Sequence, residues 1–411
     1  MNVDNFFDFV VIIVFIYPGV MAIHWTVMGL IYFWKHERHM PVPTYQEGQP
    51  APKVAILIPC FNEAKHLRES IPYFQKLHYP QFDLVFINDG STDETAVIID
   101  EWANQYSNIH ALHKSNGGKA SALNMALAYV DAEYVICVDA DAILDEWALD
   151  YMVQRLSSDA SIGGVTGNPR VRNRSTLLGR LQVAEFSSII GLIKRAQSLM
   201  GTLFTVSGVI CGFKAAVLKQ VGGWSTNMIT DDIDISWKVQ RQGYSIAYEP
   251  RALCWVLMPE TFKGFYKQRL RWAQGGAEVV FRYMPFMFGW KNRRFWPLYQ
   301  EYCLTALWCY SLIALTIFSL LNWALVSQQL TVGLLQINSV LLLAFFMFQF
   351  SISLYIDNHY EKGLSKYFFS SIWYPYAYWV VNLVTLAIGL PKALIRNRNK
   401  QAVWKSPDRG V

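Results

Sequence analysis

Tyr134-Val135-Ile136-Cys137-Val138-Asp139-Ala140-Asp141 decides how the middle of this chain is read. Five apolar residues without alternation predict a strand buried on both faces, the kind found in parallel sheets. The strand delivers two carboxylates, one residue apart, to its carboxyl end, where open α/β sheets bind their ligands. Two like charges that close are costly without a cation. Mg²⁺ or Mn²⁺ takes a few carboxylates and completes its shell with diphosphate oxygens and water. The pair therefore predicts a metal–diphosphate site on Asp139 and Asp141, with the metal neutralising charge on a leaving diphosphate.

Working outward, Val54–Pro59, Leu84–Asn88 and Ile162–Thr166 read as further buried strands. Glu63–Phe74, Thr92–Tyr106, Lys119–Tyr129 and Trp147–Leu156 read as the helices between them. Alternation of this kind predicts an α/β domain with a mainly parallel sheet and helices on both faces. Its strand ends carry unusual polar residues. The first runs into Pro59-Cys60-Phe61-Asn62-Glu63, and the second into Asn88-Asp89-Gly90-Ser91 followed by Thr92-Asp93. An acidic residue there can accept hydrogen bonds from a nucleotide base or ribose. Turn chemistry, and simple helix capping by Asn62 or Thr92, remain open for both stretches.

Asn116-Gly117-Gly118-Lys119-Ala120 lets backbone approach a ligand and offers a cation to a phosphate. It lacks the GxxxxGK spacing of a Walker A loop, and by itself it also reads as a glycine turn with a solvated lysine. Thr230-Asp231-Asp232 precedes Ile233, with Asp234 just beyond. Three acids exceed what one helix cap needs. A glycosyl acceptor hydroxyl needs a base within hydrogen-bond reach, and Asp232 is assigned that role with Asp231 as its rival. Gln268-Arg269-Leu270-Arg271-Trp272 falls on a helix expected from about Thr261 to Arg282. Gln268, Arg271 and Trp272 share one face. Arg271 suits a diphosphate, Trp272 a sugar face, and Gln268 the polymer or the Trp itself. Part of that helix also reads as interfacial, with Lys and Arg reaching toward lipid headgroups.

Of the 411 residues, 53% are hydrophobic, 15% aromatic and only 16% charged. That charged share is low for a soluble domain. A net charge of +5 is too mild to argue for nucleic acid, and the basic residues cluster beside apolar runs. Phe6–Trp34 can span a bilayer, and Lys35, His36 and Arg38 after it place the following domain in the cytoplasm. Its charges and end do not fit a cleaved secretory signal. Cys303–Val326, Val332–Ile356 and Tyr367–Leu390 can each span as well. Three spans after a cytosolic domain put the basic stretch Lys392–Arg409 outside, against the positive-inside tendency. Either that tendency fails, or one segment is re-entrant, with Pro375 marking the last as the suspect. Only His24 is an ionisable candidate within these spans, which argues against a transporter. Six cysteines without metal-ligand spacing read as free thiols on a reducing face.

Together these motifs resemble the processive family-2 glycosyltransferases, the cellulose, chitin, hyaluronan and poly-N-acetylglucosamine synthases. The likeness covers nearly the whole chain: a DxD (Asp139, Asp141), a T-[ED]-D base motif (Thr230-Asp231-Asp232) and a QxxRW (Gln268, Arg271, Trp272). Asp231 departs from the Glu common in this branch but keeps the charge. Thr166-Gly167-Asn168-Pro169-Arg170, Arg172-Asn173, Ile193-Lys194-Arg195, Trp373-Tyr374-Pro375 and Trp404–Gly410 look like the bacterial branch that makes poly-β-1,6-N-acetylglucosamine for biofilms.

The resemblance implies a GT-A-type catalytic domain over 50–300, a transmembrane helix and flank over 1–38, three transmembrane helices over 301–392 and a basic tail over 393–411. It implies an inverting, Mg²⁺- or Mn²⁺-dependent enzyme of the bacterial inner membrane, multi-pass and with its catalytic domain cytosolic. UDP-N-acetylglucosamine would be bound by Pro59, Asn62, Glu63, Asp89, Lys119, Asp139 and Arg271. The growing polysaccharide would meet Asp231, Gln268 and Trp272, with Asp232 as the base. Membrane lipid, a small membrane partner subunit and cyclic-di-GMP regulation through that complex are further expectations. Hyaluronan, chitin or cellulose synthesis is the nearest alternative. A lipid-phosphate glycosyltransferase is disfavoured because such enzymes generally lack the QxxRW.

Overall fold

The computed structural model describes residues 3–41, 43, 51–321, 328–397 and 401. The chain forms two compact units. One comprises Met1–Lys35, Arg180–Leu199 and Arg269–Leu394. The other comprises His36–Gly179, Met200–Gln268 and Ile395–Val411. Most of the Pro/Gln-rich stretch 41–52, which the sequence places between the first apolar segment and the α/β domain, and the stretch Trp404–Gly410 lie outside the described residues.

The second unit holds an eight-stranded sheet. Its strands are β1 (Val54–Cys60), β2 (Phe82–Asp89), β3 (Ile109–Lys114), β4 (Tyr134–Val138), β5 (Ile143–Leu144), β6 (Ile162–Val171), β7 (Ile210–Lys214) and β8 (Ser245–Val256). Their order is β3-β2-β1-β4-β7-β6-β8-β5. The first four pair in parallel, whereas β7 runs antiparallel to both β4 and β6; β6 and β8 are parallel again. All residues of β1 and β4 are buried, as their unbroken apolar runs predict. The four expected strands are present.

Four more strands were not legible. β3 reads Ile-His-Ala-Leu-His-Lys because it is an edge strand, paired with β2 alone and only partly buried. β5 has two residues and β7 five, too few for a period to show. β8 is long but interrupted by Glu249, Pro250 and Arg251. The helices Ala64–Phe74, Lys119–Tyr129 and Ala148–Ser157 fall where expected. The next begins at Thr95, three residues later than the pattern implied, for a reason given below.

The other unit is helical. Val3–Tyr32 passes into a π-helical turn, Phe33–Glu37. Leu177–Glu185, a π-helical Phe186–Gly191 and Leu192–Leu199 follow one another. Then come Phe262–Met287, Trp296–Leu321, Gln328–Asp357 and Tyr374–Ile395. Among the described residues, four segments are long and apolar enough to cross a membrane: Ile13–Glu37, Trp290–Leu321, Val340–Asp357 and Tyr374–Ile395. Their shared core contains Trp25, Trp308, Phe346 and Trp379. The Trp308 indole donates to the Val14 carbonyl across 3.1 Å.

Sequence found only His24 as an ionisable group in these spans, and the structure adds others. Glu301 accepts from the Trp25 indole (3.2 Å) and the Gln197 amide (3.5 Å). Arg195 pairs with Asp357 at 2.9 Å, both fully buried. These carboxylates sit near helix ends that extend beyond the apolar runs by which the spans were drawn.

The last apolar helix also departs from expectation. It starts at Tyr374 rather than Tyr367, after the short helices Leu364–Tyr367 and Phe368–Ser371. Pro375 therefore occupies the first turn, where a missing N–H breaks nothing. This helix crosses Trp296–Leu321 steeply. Trp308 meets Trp379 at 4.9 Å between ring centroids, Cys309 Sγ donates to the Leu383 carbonyl (3.4 Å), and the Tyr310 hydroxyl donates to the Ala387 carbonyl (3.3 Å). Three consecutive residues, rising about 3 Å, thus meet positions spread over about 12 Å of the other helix. Side-by-side spans would advance together. Further along, Gly389 backs onto Phe262–Met287 so closely that a Cβ there would lie 2.9 Å from the Gln274 amide nitrogen.

Candidate active site

The carboxyl ends of β1, β2 and β4 and the loop before Asp231–Arg241 build the candidate site within the sheet-bearing unit. β4 ends at Val138, so Asp139 is the first residue past the ladder, half-buried, with Asp141 buried beyond it. Lys119, first residue of its helix, places Nζ 2.5 Å from Asp139 Oδ1 and 3.0 Å from the Gly208 carbonyl. Burial pushes the Lys119 ammonium pKa down, but Asp139, Asp231 and Asp232 outweigh it, and the net shift is upward. The lysine is therefore a fixed cation among carboxylates from two separate motifs, not a solvated turn residue.

Asp232 lies in the first turn of Asp231–Arg241. Its Oδ1 accepts from the Ile233 amide at 3.0 Å. Its Oδ2 faces Gly208, where an added Cβ would stand 3.2 Å away. Glycine keeps that space open in front of the carboxylate. The loop segment leading to Gly208 is held against the same helix. Gln240 exchanges two hydrogen bonds with Leu203, at 2.9 and 2.8 Å; Ser236 accepts from the Val206 amide (2.9 Å), and Trp237 donates to the Phe204 carbonyl (3.1 Å). Thr166 in β6 accepts from the Ser207 amide at 2.8 Å. Asp234 is fully buried, with Lys238 at 4.0 Å. The third acid of the run thus belongs to the helix and not to the site.

The first two strand ends form a second cluster. Asn62 adopts φ +55°, a left-handed conformation that asparagine tolerates. Its Oδ1 accepts from the Thr92 amide at 2.8 Å, and its own amide donates to Ser91 Oγ at 3.0 Å. It stitches two loops rather than capping a helix. Capping falls to Asp93, whose carboxylate accepts from Ala64 N (3.1 Å) and Thr95 N (3.0 Å), so it serves two helix starts at once. This is why the second helix begins at Thr95. Desolvation raises the Asp93 pKa, but these hydrogen bonds lower it more, and the net shift is downward. Sequence reading missed Asp93. Its signal was an Asp two residues before the helix, read as part of the turn.

Asp89 and Glu63 make contacts to the protein's own loops and helix starts. Asp89 is fully buried, accepting from Lys114 Nζ (2.6 Å) and Gly117 N (2.9 Å) on Oδ1 and from Gly118 N (2.8 Å) on Oδ2. It holds the glycine loop that starts the Lys119 helix. Gly90 beside it, at φ +74°, lets Asn116 approach: a Cβ would lie 2.6 Å from the Asn116 amide. Glu63 is fully buried, with Oε2 2.9 Å from His66 Nδ1, and Pro59 is buried within β1.

Gln268, Arg271 and Trp272 lie on Phe262–Met287 as expected, Arg271 exposed and Trp272 partly buried. Gln268 is the last residue of its stretch in the sheet-bearing unit, whereas Arg271 and Trp272 belong to the helical one. All six cysteines are free thiols. Among the described residues no group of three or more His, Cys, Asp or Glu side chains is arranged to hold a metal alone. Asp139 and Asp141 fit a divalent ion that takes its remaining ligands from a diphosphate and water. The Lys119 ammonium at 2.5 Å shows that a cation is favoured against Asp139.

Residues 50–275 match the family described as glycosyltransferase like family 2. A poly-β-1,6-N-acetyl-D-glucosamine synthase of Staphylococcus epidermidis is 38% identical over 415 residues, covering 100% of this chain and 99% of its own. The protein of that name from Staphylococcus aureus strain COL is 37% identical, covering 99% of each chain. Among solved structures, the mannosyltransferase PcManGT from Pyrobaculum calidifontis, in complex with GDP-Man and Mn²⁺, aligns at a TM-score of 0.64. It shares 22% identity and covers 92% of this chain and 99% of its own. At that identity the likeness is one of fold, the GT-A type.

Proposed function

Since the chain belongs to the family-2 glycosyltransferases and carries apolar helices long enough to anchor it in a membrane, we propose that it polymerises N-acetylglucosamine from UDP-N-acetylglucosamine into poly-β-1,6-N-acetylglucosamine, the polysaccharide of a biofilm matrix, and helps export it. Similarity to synthases of that name over the full length supports donor and product. The observation that carries the chemistry is the convergence of Asp139, Lys119, Gly208 and Asp232.

The reaction is a single inverting displacement. Asp232 takes the proton of the acceptor 6-hydroxyl as that oxygen attacks the anomeric carbon, and the bond to UDP breaks on the opposite face. The Ile233 amide on Oδ1 orients the carboxylate so that Oδ2 faces the space at Gly208. Lys119 holds position beside Asp139 and stabilises the diphosphate as charge gathers on it. A divalent ion held by Asp139 and Asp141, Mg²⁺ or Mn²⁺, would supply further neutralisation of the leaving group. Asn62 orders the loops at the nucleotide end, and Asp89 sets the glycine loop. Arg271 on the diphosphate, and Gln268 and Trp272 on the polymer, complete the assignment with Asp231 beside the base.

The catalytic domain occupies about residues 50–300 and faces the cytoplasm across a bacterial inner membrane. Val3–Tyr32, Trp296–Leu321 and Gln328–Asp357 cross it. The last helix is re-entrant. Its steep crossing of Trp296–Leu321 and its contact with Gln274 support this. Three crossings then leave the basic tail cytoplasmic, in accord with the positive-inside tendency. A small membrane partner and cyclic-di-GMP control rest on the resemblance alone.

The test uses membranes carrying the protein, with its expected partner subunit, Mg²⁺ and radiolabelled UDP-N-acetylglucosamine. High-mass label removed by a β-1,6-N-acetylglucosaminidase, and absent with Asp232→Asn, is the expected result. Label resistant to that enzyme overturns the product. No label from any UDP-sugar overturns the polymerase reading.

A further inference from the structure

Arg269 lies inside the Gln268–Trp272 run but is not one of its motif positions, and no role above uses it. It is buried, 6% exposed, on a helix otherwise rich in exposed cations such as Lys263, Lys267 and Arg271. Its guanidinium makes a fork to Glu185, the last residue of Leu177–Glu185. Nε donates to Oε1 at 2.9 Å and Nη2 to Oε2 at 2.5 Å. Glu185 is 3% exposed. One turn on from Arg269, the Trp272 ring centroid lies 4.2 Å from the guanidinium carbon. Tyr374, opening the last helix and 2% exposed, is buried beside the two charges.

A buried ion pair is a weak device for stability, since removing both charges from water costs about as much as their attraction returns. Its strength is geometric. A bidentate fork fixes the plane of the guanidinium, and a planar cation against an indole in turn fixes the ring. A lysine, as a point charge on a flexible stem, would fix neither. Every one of these residues belongs to the helical unit, so the arrangement is internal to one compact body.

We propose that Glu185 and Arg269 are positioning residues that lock the Trp272 indole in the orientation needed to stack on the acceptor end of the growing polysaccharide. This rests on the reading of Trp272 as the acceptor platform. Elongation demands that the terminal sugar be presented again in the same pose after each addition, and a swivelling indole would present it in several. The donor makes no use of the pair, so its binding is separable.

The experiment measures acceptor KM with short β-1,6-N-acetylglucosamine oligosaccharides and donor KM with UDP-N-acetylglucosamine, in full-length protein in membranes. The variants are Glu185→Gln, Arg269→Lys, Trp272→Phe and the Glu185→Gln/Trp272→Phe double. Expected for both pair variants is a rise of about tenfold in acceptor KM with donor KM unchanged, and shorter products. The double variant should be no worse than Trp272→Phe alone, because Glu185 acts through the indole. Additive effects, or equal changes in both KM values, overturn the proposal and leave a merely structural ion pair. A raised acceptor KM in Trp272→Phe with unchanged values in the pair variants overturns it alone. An unchanged acceptor KM in Trp272→Phe overturns the platform reading and this inference with it.

Discussion

Lys119 Nζ stands 2.5 Å from Asp139 Oδ1, so the lysine that follows the glycine loop and the first carboxylate of the DxD form one ion pair between a helix start and a strand end. The same ammonium is raised in pKa by Asp231 and Asp232 from a third motif. In the proposed mechanism one cation would therefore serve both the leaving-group end and the base end of the site. Removing it leaves several carboxylates facing one another, which opposes the approach of a diphosphate.

Lys119→Met is accordingly expected to weaken UDP binding by about tenfold to a hundredfold, the range of one charge-assisted contact. Titration of UDP into the purified variant checks this. The pH profile carries a sign. A lysine whose folded pKa is raised contributes its stability fully below the unfolded value of about 10.4 and loses it only as pH rises through the higher folded value. Between pH 6 and 9 the Lys119→Met deficit should stay constant. A deficit that changes there would assign the titration to another group.

Gly208→Ala should cost activity without costing the fold. Its methyl would stand 3.2 Å from Asp232 Oδ2, narrowing the space in which the proposed mechanism seats the acceptor hydroxyl. A fall in kcat of about tenfold or more is expected, since small displacements at a reacting centre are costly. UDP affinity should match the wild type.

Asp89→Asn distinguishes a loop clamp from a nucleotide contact. The carboxylate accepts three donors from Lys114, Gly117 and Gly118. The variant and Lys114→Met should lower thermal stability and UDP affinity together, the pair coupling in a double-mutant cycle. A loss of affinity confined to Asp89→Asn would make it a direct ligand of the nucleotide.

Asp93→Ala removes the cap from two helices and should cost about 1–2 kcal/mol of stability near neutral pH. A depressed folded pKa means this contribution is present above the unfolded value of about 3.9 and lost as pH falls through the lower folded one. Melting wild type and variant in parallel should show curves that converge below about pH 4.

The proposal that the last helix is re-entrant is checked by a reporter fused after Val411. Green fluorescence without external protease sensitivity is expected of a cytoplasmic end. Activity of a periplasmic phosphatase reporter there would restore a fourth crossing.

Much of the catalytic half was legible because its signals are local. Apolar runs such as Tyr134–Val138 have few alternative fates, and acids at their ends fall on the ligand edge whatever the details. Asp139 could be named on that basis, whereas Lys119 by itself read equally as a solvated turn lysine and Asp232 stood beside Asp231. Short strands such as Ile210–Lys214 could not be seen, because their stability comes from neighbours on both sides rather than from their own pattern. Asp234, the third acid of its run, is fully buried, which no local pattern shows.

Sequence by itself determined the α/β class, the order of the motifs, the residue types available for each chemical task and the presence of membrane-length helices. Tertiary structure alone decided which of those residues meet. It turned Asp89 inward to hold a loop, made Asp93 the shared cap, set Lys119 between two motifs, paired Arg269 with Glu185, and laid the last helix across its neighbour. Periodicity and composition report what a segment can bury. Hydrogen bonds between residues tens of positions apart depend on chain paths that no local pattern encodes.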